Sequence, residues 1–292
     1  MQEVEAGRLL ALSREARWAF PSSYGAPSRP GDATIARLVA ERDLLPEASE
    51  ALGSDEATEL AANSWRAWMV ERDVGGGRWF AEAALDRRGG SPRFRALALY
   101  GAGLLALRAG DRDASRARNG EALELAREAG DAEALALASL GSARVALEDE
   151  DSEAARTLAV EAREQARDLG PAFGQAPLHI HAQALRQSGD FHGAASLFEE
   201  SLALNRRIGD EGMVEVELQN LSLVELRRGN AEAARQLLEE LGPSDDDPLG
   251  AGALAYARGD EKAARTLLAR ADAEDLPQDD RADLDWLQSR LG

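Results

Sequence analysis

Three short segments carry residue types that could do chemistry. The Gly-Gly-Gly-Arg segment at 75–78 has the glycines and the cation of a phosphate cradle. The His-Ile-His segment at 179–181 offers two imidazoles that could hold a metal ion. The Asp-Asp-Asp-Pro segment at 245–248 concentrates carboxylates, as a calcium-binding loop does. Each of these chemistries also requires a particular spacing and structural context.

None of the three segments has that context. A nucleotide-binding glycine loop joins a strand to a helix, whereas residues 75–78 lie at a predicted turn between two helices. His179 and His181 are two positions apart, so on a helix their side chains point away from each other. The acidic segment lacks the alternating ligands and the glycine of a calcium loop, and Asp247 before Pro248 predicts a helix start. No spacing singles out an acid/base pair. We therefore expect no catalytic residues, no metal and no cofactor, and the chain is predicted not to be an enzyme.

Composition excludes further classes of function. The chain has 292 residues, 44% of them hydrophobic, which is enough to bury a sizeable core. Acidic residues outnumber basic ones by 53 to 34, for a net charge of -19, so phosphate backbones and anionic lipids should repel it. We expect neither nucleic acid nor a membrane as partner. No cysteine is present, and neither an apolar leader nor an apolar span is apparent, so we expect a cytoplasmic protein.

The elements that would position any site are predicted from a repeated turn. With only 5% aromatic residues and many alanines, the composition favours closely packed helices. A turn signal recurs at Gly110-Asp111, Glu150-Asp151, Gly189-Asp190, Gly229-Asn230 and Gly259-Asp260. A small residue precedes each turn by seven positions: Gly103, Ala143, Ala182, Ser222 and Gly252. Another follows it by five: Ser115, Ala155, Ala194, Ala234 and Ala264. Nine positions after the turn an apolar residue is usual, with Asn119 as the exception.

This pattern predicts helical hairpins that stack on their neighbours. Two helices joined by a tight turn approach closely where both present small residues, and one hairpin cannot bury its apolar face alone. A second turn closes each unit, at Gly130-Asp131, Gly170-Pro171 and Gly209-Asp210. Upstream, Gly76 and Asp43 fit the same turn position with lower fidelity. We predict an all-α solenoid of about seven hairpins over residues 32–272, since hairpins of this kind repeat along such arrays. Before it come an N-terminal helix at 3–19 and a Pro/Gly loop, together residues 1–31, and after it a polar-faced capping helix in 273–292.

The glycine, alanine and aromatic placements resemble those of the tetratricopeptide repeat. A narrower resemblance covers residues 35–110: IARLVAERDLL from 35, LAANSWRAW from 60, GRWFAEAAL from 77 and ALYGAGLLALRAGD from 98. These segments look like the C-terminal region of bacterial signal-transduction ATPases and of LuxR-like or AfsR-like transcriptional regulators. The chain departs from those regulators because it has no G-x-x-x-x-G-K-[ST] loop and no recognisable helix-turn-helix. It is therefore either the arm of a larger protein or a free-standing relative.

The resemblance implies where a ligand would bind. In tetratricopeptide arrays the first helix of each hairpin lines a concave groove, using positions three, six and ten before the turn. In this sequence those positions include six polar or aromatic candidates for partner binding: Tyr100, Arg144, His179, Gln183, Arg186 and Gln219. The two arginines are expected to form a positive spot that orients an acidic group. Two functions remain open: a groove that docks a protein or peptide, and an effector-sensing arm that binds a small molecule.

Overall fold

The fold is entirely helical in the part of the chain that the structure describes. The structure is a computed structural model, and it describes residues 2–17, 32–243, 246–274 and 276–292. Within these ranges there is no strand, and no helix has the length and apolar character that a membrane span requires. The helices are α1 (Glu3–Arg17), α2 (Asp32–Ala40), α3 (Leu45–Ala51), α4 (Ser54–Val70), α5 (Val74–Leu85), α6 (Pro92–Arg108), α7 (Arg112–Ala129), α8 (Ala132–Glu148), α9 (Ser152–Ala166), α10 (Pro171–Gln187), α11 (Phe191–Ile208), α12 (Glu211–Arg227), α13 (Ala231–Leu241), α14 (Pro248–Ala257), α15 (Glu261–Leu268) and α16 (Gln278–Leu291).

The five predicted hairpin turns are confirmed. Each lies between two consecutive helices, and its first residue adopts a left-handed conformation, as at Gly110 (φ 78°) and Glu150 (φ 61°). The next residue caps the second helix where it is an aspartate: the Asp111 carboxylate accepts a hydrogen bond from the Ala114 backbone N–H at 3.0 Å. A left-handed residue followed by a side-chain cap ends one helix and begins the next without leaving buried backbone groups unpaired.

The turn predicted at Gly76 is wrong by four residues. Gly76 lies inside α5, and the left-handed turn residue is Arg72, with φ 57°. Asp73 caps α5 by accepting a hydrogen bond from the Gly76 N–H at 2.9 Å. The glycines serve close packing instead, because a Cβ on Gly77 would lie 2.7 Å from the Cβ of Trp68. The other upstream turn is confirmed, since Asp43 lies in a short 3-10 helix between α2 and α3.

Small residues at the helix crossings are buried as predicted. Ala143, Ala182 and Ser222 before the turns are fully buried, and so are all five small residues after them. At Gly252, a Cβ would lie 2.5 Å from Leu268 Cδ2, so nothing larger than glycine fits there without rearrangement. The exceptional Asn119 is also buried, at 2% exposed, and packs against Gly103 and Gly141.

The chain forms two compact units. Unit 1 comprises Met1–Asp149 and Thr157–Pro177, and unit 2 comprises Glu150–Arg156 and Leu178–Gly292. The candidate site residues lie on first helices of hairpins: α6 and α8 in unit 1, the part of α10 from Leu178 onward in unit 2, and α12 in unit 2. In unit 1, α6 packs against both α4 and α8, so these first helices form one continuous surface.

Both terminal segments were expected to be helical, and both contain a helix. The described part of the N-terminal helix is α1, while Trp18 and the Pro/Gly loop lie outside the described residues. The C-terminal helix α16 buries Leu284, Leu287 and Leu291 in the core of unit 2. The predicted division into residues 1–31, 32–272 and 273–292 stays a prediction.

Candidate functional site

The centre of the unit 1 site is a buried tyrosine on α6. Tyr100 is 2% exposed, and its ring meets the ring of Trp65 on α4 edge to face, with centroids 5.7 Å apart. Gly101 allows this approach, because a Cβ there would lie 3.0 Å from the Cβ of Trp65. The aromatic pair fixes the Tyr100 hydroxyl in position, since both rings are held by packing on neighbouring helices.

One arginine contacts this hydroxyl, and a second stacks on the neighbouring Trp65 ring. Arg144 on α8, half-buried, donates a hydrogen bond from Nη1 to the Tyr100 hydroxyl oxygen at 3.0 Å. Within the described residues Arg144 forms no ion pair with a carboxylate. Arg66 on α4 stacks on the Trp65 ring at 4.3 Å from its centroid. Burial is the main reason why the pKa of Arg66 is lowered to about 10; Tyr100 opposes this shift and the charge of Arg17 adds to it. The site is therefore a desolvated cationic surface beside an aromatic pair.

Unit 2 places His179 in a buried hydrogen-bonded cluster. Its Nδ1 lies 3.0 Å from Oε1 of Glu217 on α12, a residue that is 0% exposed. The same carboxylate oxygen accepts a hydrogen bond from the Ser201 hydroxyl at 2.5 Å. The His179 ring also meets the Phe198 ring edge to face at 6.1 Å. His179 is thus held by three neighbours, and only 15% of its side chain is exposed.

Arg186 is the centre of a second network in unit 2. Nη1 of Arg186 donates to Asn220 Oδ1 at 2.8 Å and to Gln183 Oε1 at 3.3 Å, so Gln183 and Arg186 lie side by side on α10. On its other side the guanidinium faces α16, where Nη2 lies 2.8 Å from Asp280 Oδ1 and 2.6 Å from Asp283 Oδ2. Arg186 and Asp283 are 4% and 3% exposed, so this is a buried ion pair.

This burial corrects two expectations. Arg186 was expected to line an accessible groove as a positive spot, but the carboxylates of α16 neutralise it. The capping helix was expected to direct its aspartates to solvent, whereas Asp283 faces Arg186 and also accepts from Arg227 Nη1 at 3.0 Å. A signal was present in the sequence: Asp280 and Asp283 are three positions apart, which places them on one helix face. Their partners, about a hundred residues away in the chain, could not be identified from that spacing.

The remaining candidate, Gln219 on α12, is half-buried and makes no side-chain hydrogen bond within the described ranges. The candidates therefore fall into two groups, with Tyr100 and Arg144 in unit 1 and His179, Gln183 and Arg186 in unit 2. Sequence reasoning missed Trp65 and Arg66 as neighbours of Tyr100, and Asn220 as the partner of Gln183 and Arg186. The contacts of Trp65 with Tyr100 and of Asn220 with Gln183 and Arg186 each join two first helices of successive hairpins.

The three segments first considered for chemistry have structural roles where the structure describes them. Residues 75–77 form the first turn of α5. His181 is half-buried, and no group of three or more His, Asp or Glu side chains within the described residues could hold a metal ion. Asp247 caps α14 by accepting from the Gly250 N–H at 2.9 Å, which confirms the predicted helix start. Burial raises the pKa of Asp247 above its usual range.

Solved structures with the same architecture are numerous, although their sequences are distant. No family profile and no curated protein sequence matches the chain. The structure of NprR with its cognate peptide NprX aligns with 97% of this chain and 81% of its own, at 15% identity and a TM-score of 0.63. A Rap protein complexed with competence and sporulation factor aligns with 91% of this chain and 80% of its own, at 14% identity and a TM-score of 0.61.

A third similar structure is a signal-transduction ATPase with numerous domains and a tetratricopeptide repeat sensor, from Pyrococcus horikoshii. It aligns with 88% of this chain and 43% of its own, at 12% identity and a TM-score of 0.62. At these identities the likeness concerns the fold, and it agrees with the turn-centred repeat and the helix order of this chain. The protein is a tetratricopeptide-like, all-α solenoid.

Proposed function

We propose that the chain is a non-enzymatic scaffold that binds a protein or peptide, and that Arg144 and Tyr100 hold a carboxylate of this ligand. The observation that carries the proposal is the Arg144 guanidinium, which has no carboxylate partner within the described residues. Arg87 and Arg95 also have no carboxylate partner in the described part of the chain, but their guanidiniums donate to backbone carbonyls, whereas that of Arg144 contacts a side-chain hydroxyl. A guanidinium held by a buried hydroxyl is preorganised to bind a carboxylate through two parallel hydrogen bonds.

The surroundings of Arg144 suit a peptide ligand. Trp65 supplies an aromatic surface beside the two guanidiniums, so an apolar side chain and a carboxylate of one ligand can be bound together. The partly desolvated setting strengthens the attraction between a guanidinium and a carboxylate relative to water. Acidic peptides are therefore expected to bind this surface, whereas basic ones are not.

The structural neighbours support a regulatory role of this kind. NprR was solved with its cognate peptide, and a Rap protein with competence and sporulation factor, both on similar architectures. We extend this use of the fold to the present chain as part of the proposal. The proposed setting is a bacterial cytoplasm, where the chain would act by docking a partner.

A small-molecule effector is the second candidate. Arg144 at the Tyr100 hydroxyl also fits a compact carboxylate, and one similar structure contains a tetratricopeptide repeat sensor. Thermal unfolding with a panel of free carboxylates, such as succinate and citrate, separates the candidates. A ligand that binds only the folded state raises the melting temperature. Stabilisation by one of these compounds, without selection of acidic peptides, would favour the sensor.

The principal test is selection from a random peptide library on the purified protein, followed by titration calorimetry with the enriched peptides. We expect enrichment of carboxylate-containing peptides. Arg144→Ala should weaken their binding about ten- to a hundred-fold, as expected for loss of a charge-assisted contact. Tyr100→Phe keeps the ring that packs on Trp65 but removes the hydroxyl, and should weaken binding less.

Arg207→Ala is the matched control. Arg207 is an exposed arginine on α11, a second helix of its hairpin, so its loss removes the same charge away from the first-helix surface. If the enriched peptides bind Arg144→Ala as tightly as they bind the parent protein and Arg207→Ala, the assignment of this site is wrong.

A further inference from the structure

The network around Arg186 in unit 2 has the composition of a carboxylate-binding site. Arg186 is oriented by Asn220 and Gln183, which accept from Nη1 at 2.8 and 3.3 Å. Nε and Nη2 then both point at Asp283 Oδ2, at 3.2 and 2.6 Å. Two donors on one carboxylate oxygen, with a third partner holding the guanidinium from behind, form a preorganised recognition site.

A second arginine extends this site along α16. Arg227 on α12 donates from Nη1 to Asp283 Oδ1 at 3.0 Å, so Asp283 is shared by two guanidiniums. The Arg227 guanidinium lies 4.7 Å from the ring centroid of Phe191 and 5.2 Å from that of Trp286, which is on α16. Asp283 and Trp286, one turn apart on α16, therefore contact the same arginine.

The present occupant of the site is a short segment at the end of the chain. Helix α16 follows α15 through residues 269–277 and places Asp280 and Asp283 on Arg186. Its other attachment is apolar, through Leu284, Leu287 and Leu291. An amphipathic helix with carboxylates at one end and a leucine stripe is a common form of protein ligand for a groove.

A buried arginine such as Arg186 can exchange one carboxylate partner for another at little cost in free energy, but it cannot be left without one. Attraction between buried charges is largely offset by their loss of hydration, so a filled site contributes little net stability. A buried guanidinium left without a carboxylate is strongly unfavourable, however. Arg186 therefore requires an acidic occupant, and a similar acidic helix from another protein would satisfy it equally well.

We propose that the Arg186–Arg227 site binds an acidic amphipathic helix of a partner protein, and that α16 occupies this site as an intramolecular competitor. The partner segment has two carboxylates three positions apart, followed by a leucine stripe, as in the Asp280 to Leu287 stretch of α16. This site uses neither Arg144 nor Tyr100, so its test is independent of the function proposed for unit 1.

The test uses a fluorescein-labelled peptide with the sequence of residues 276–292 as probe, with binding followed by anisotropy. An attached competitor acts at an effective concentration of the order of millimolar, so the parent chain should bind the probe weakly. Asp280→Asn with Asp283→Asn weakens the competitor and should tighten probe binding at least about ten-fold. The matched control Asp285→Asn changes an exposed aspartate on α16 and should bind like the parent.

Two further measurements keep the test decisive if the double variant folds poorly. A probe that carries the same two Asn substitutions should not bind any of the proteins. Hydrogen exchange on the parent chain should show faster exchange of the α16 amides when the unmodified probe is added in excess, because the helix is displaced.

Three results would overturn the proposal. The first is probe binding that is equal for the parent, the double variant and the Asp285→Asn control. The second is unchanged protection of α16 at saturating probe. The third is a doubled mass of the parent chain in light scattering, because the occupant would then be α16 of a second copy of the chain.

Discussion

The two units use an arginine on a first helix in opposite ways. In unit 1, Arg144 contacts a neutral hydroxyl, and the described residues supply it with no carboxylate. In unit 2, Arg186 is enclosed by two aspartates from the end of the same chain. Both positions follow the same offset rule from a hairpin turn. The offset of a residue from its hairpin turn therefore predicts whether it faces a neighbouring first helix. It does not predict whether a distant segment of the chain also covers that residue.

The largest difference should appear in stability. Arg186→Ala leaves Asp280 and Asp283 without their main partner, one of them 3% exposed, and should cost about 3 kcal/mol of unfolding free energy. Urea unfolding followed by circular dichroism measures this change. Arg186→Met together with Asp280→Asn and Asp283→Leu should recover most of the loss, because the only charge in this network that loses its partner is then Arg227, which is half-buried and stacks on Phe191 and Trp286. A loss below about 0.5 kcal/mol for Arg186→Ala would place the pair at the surface, where ion pairs contribute little.

A second difference concerns the position nine residues after the hairpin turn. Unit 2 has Phe198 and Leu238 there, whereas unit 1 has Ala159 and, as the one polar residue, Asn119, which is enclosed between Gly103 and Gly141. A Cβ on Gly141 would lie 1.9 Å from Asn119 Oδ1, and the hydrogen bond from Asn119 Nδ2 to the Ser115 carbonyl limits its movement away. Gly141→Ala should therefore cost about 1 to 3 kcal/mol through overpacking, measured by urea unfolding.

The matched control for this substitution is in the same unit. Gly120 lies within α7 with nothing within 4 Å of an added Cβ, so Gly120→Ala should stabilise by about 0.5 to 1 kcal/mol. Adding Asn119→Ala to Gly141→Ala should restore part of the lost stability, since it removes the atom that the new methyl group meets. Equal effects of Gly120→Ala and Gly141→Ala would show that Gly141 is not required for packing.

A smaller effect on stability is expected when Arg144 in unit 1 is replaced. Arg144→Ala removes one hydrogen bond and no ion pair, so it should change the unfolding free energy by less than about 1 kcal/mol. Thermal unfolding of Arg144→Ala beside Arg186→Ala measures the contrast directly. If the two variants have the same melting temperature, Arg144 contributes as much to stability as Arg186, and the proposed difference between the two units is wrong.

The smallest effects should come from two helix caps with opposite pKa shifts. The backbone N–H of Ala114 and the Arg78 side chain lower the pKa of Asp111 in unit 1, whereas burial raises that of Asp247 in unit 2. The Asp111 contribution to stability is thus present above its unfolded pKa and is lost as the pH falls through the folded value. For Asp247 the protonated form is favoured on folding, so stability falls as the pH rises from the unfolded pKa through the folded one.

Carboxyl carbon chemical shifts in a pH titration by NMR measure both values. Asp111 should titrate below the usual aspartate pKa of about 3.9 and Asp247 above it. Asp247→Asn should consequently be tolerated better at neutral pH than Asp111→Asn. Identical titration midpoints for the two caps would contradict the difference in burial between them.

Most of the fold was predictable because the signals are local. The turn residues, the following caps and the small residues at helix crossings lie within one hairpin, and they are located as expected from Gly103 to Ala264. The prediction failed at Gly76, where the left-handed position is filled by Arg72 and the glycines pack against Trp68. A glycine has two uses in helical proteins, and the sequence alone did not distinguish a turn from a close approach.

The candidate site was predictable only in part. The offsets placed Tyr100 and Arg144 on neighbouring first helices, and the structure brings them to 3.0 Å of each other. They also placed Gln183 and Arg186 side by side, with 3.3 Å between Gln183 Oε1 and Arg186 Nη1. The offsets did not predict that Asn220 would join Gln183 to Arg186, because that contact depends on how two hairpins are rotated against each other.

By itself, the sequence determined the helical class, the hairpin repeat and the residues that face neighbouring first helices, because these follow from propensities and spacings within one or two turns of helix. Tertiary structure alone decided that Arg186 is paired with carboxylates and that Arg144, among the described residues, is not. Asp280 and Asp283 are 94 and 97 positions from Arg186, and nothing local links them. The pairing arises because Leu284, Leu287 and Leu291 bury α16 against the core of unit 2, and this packing carries the two carboxylates to the buried guanidinium.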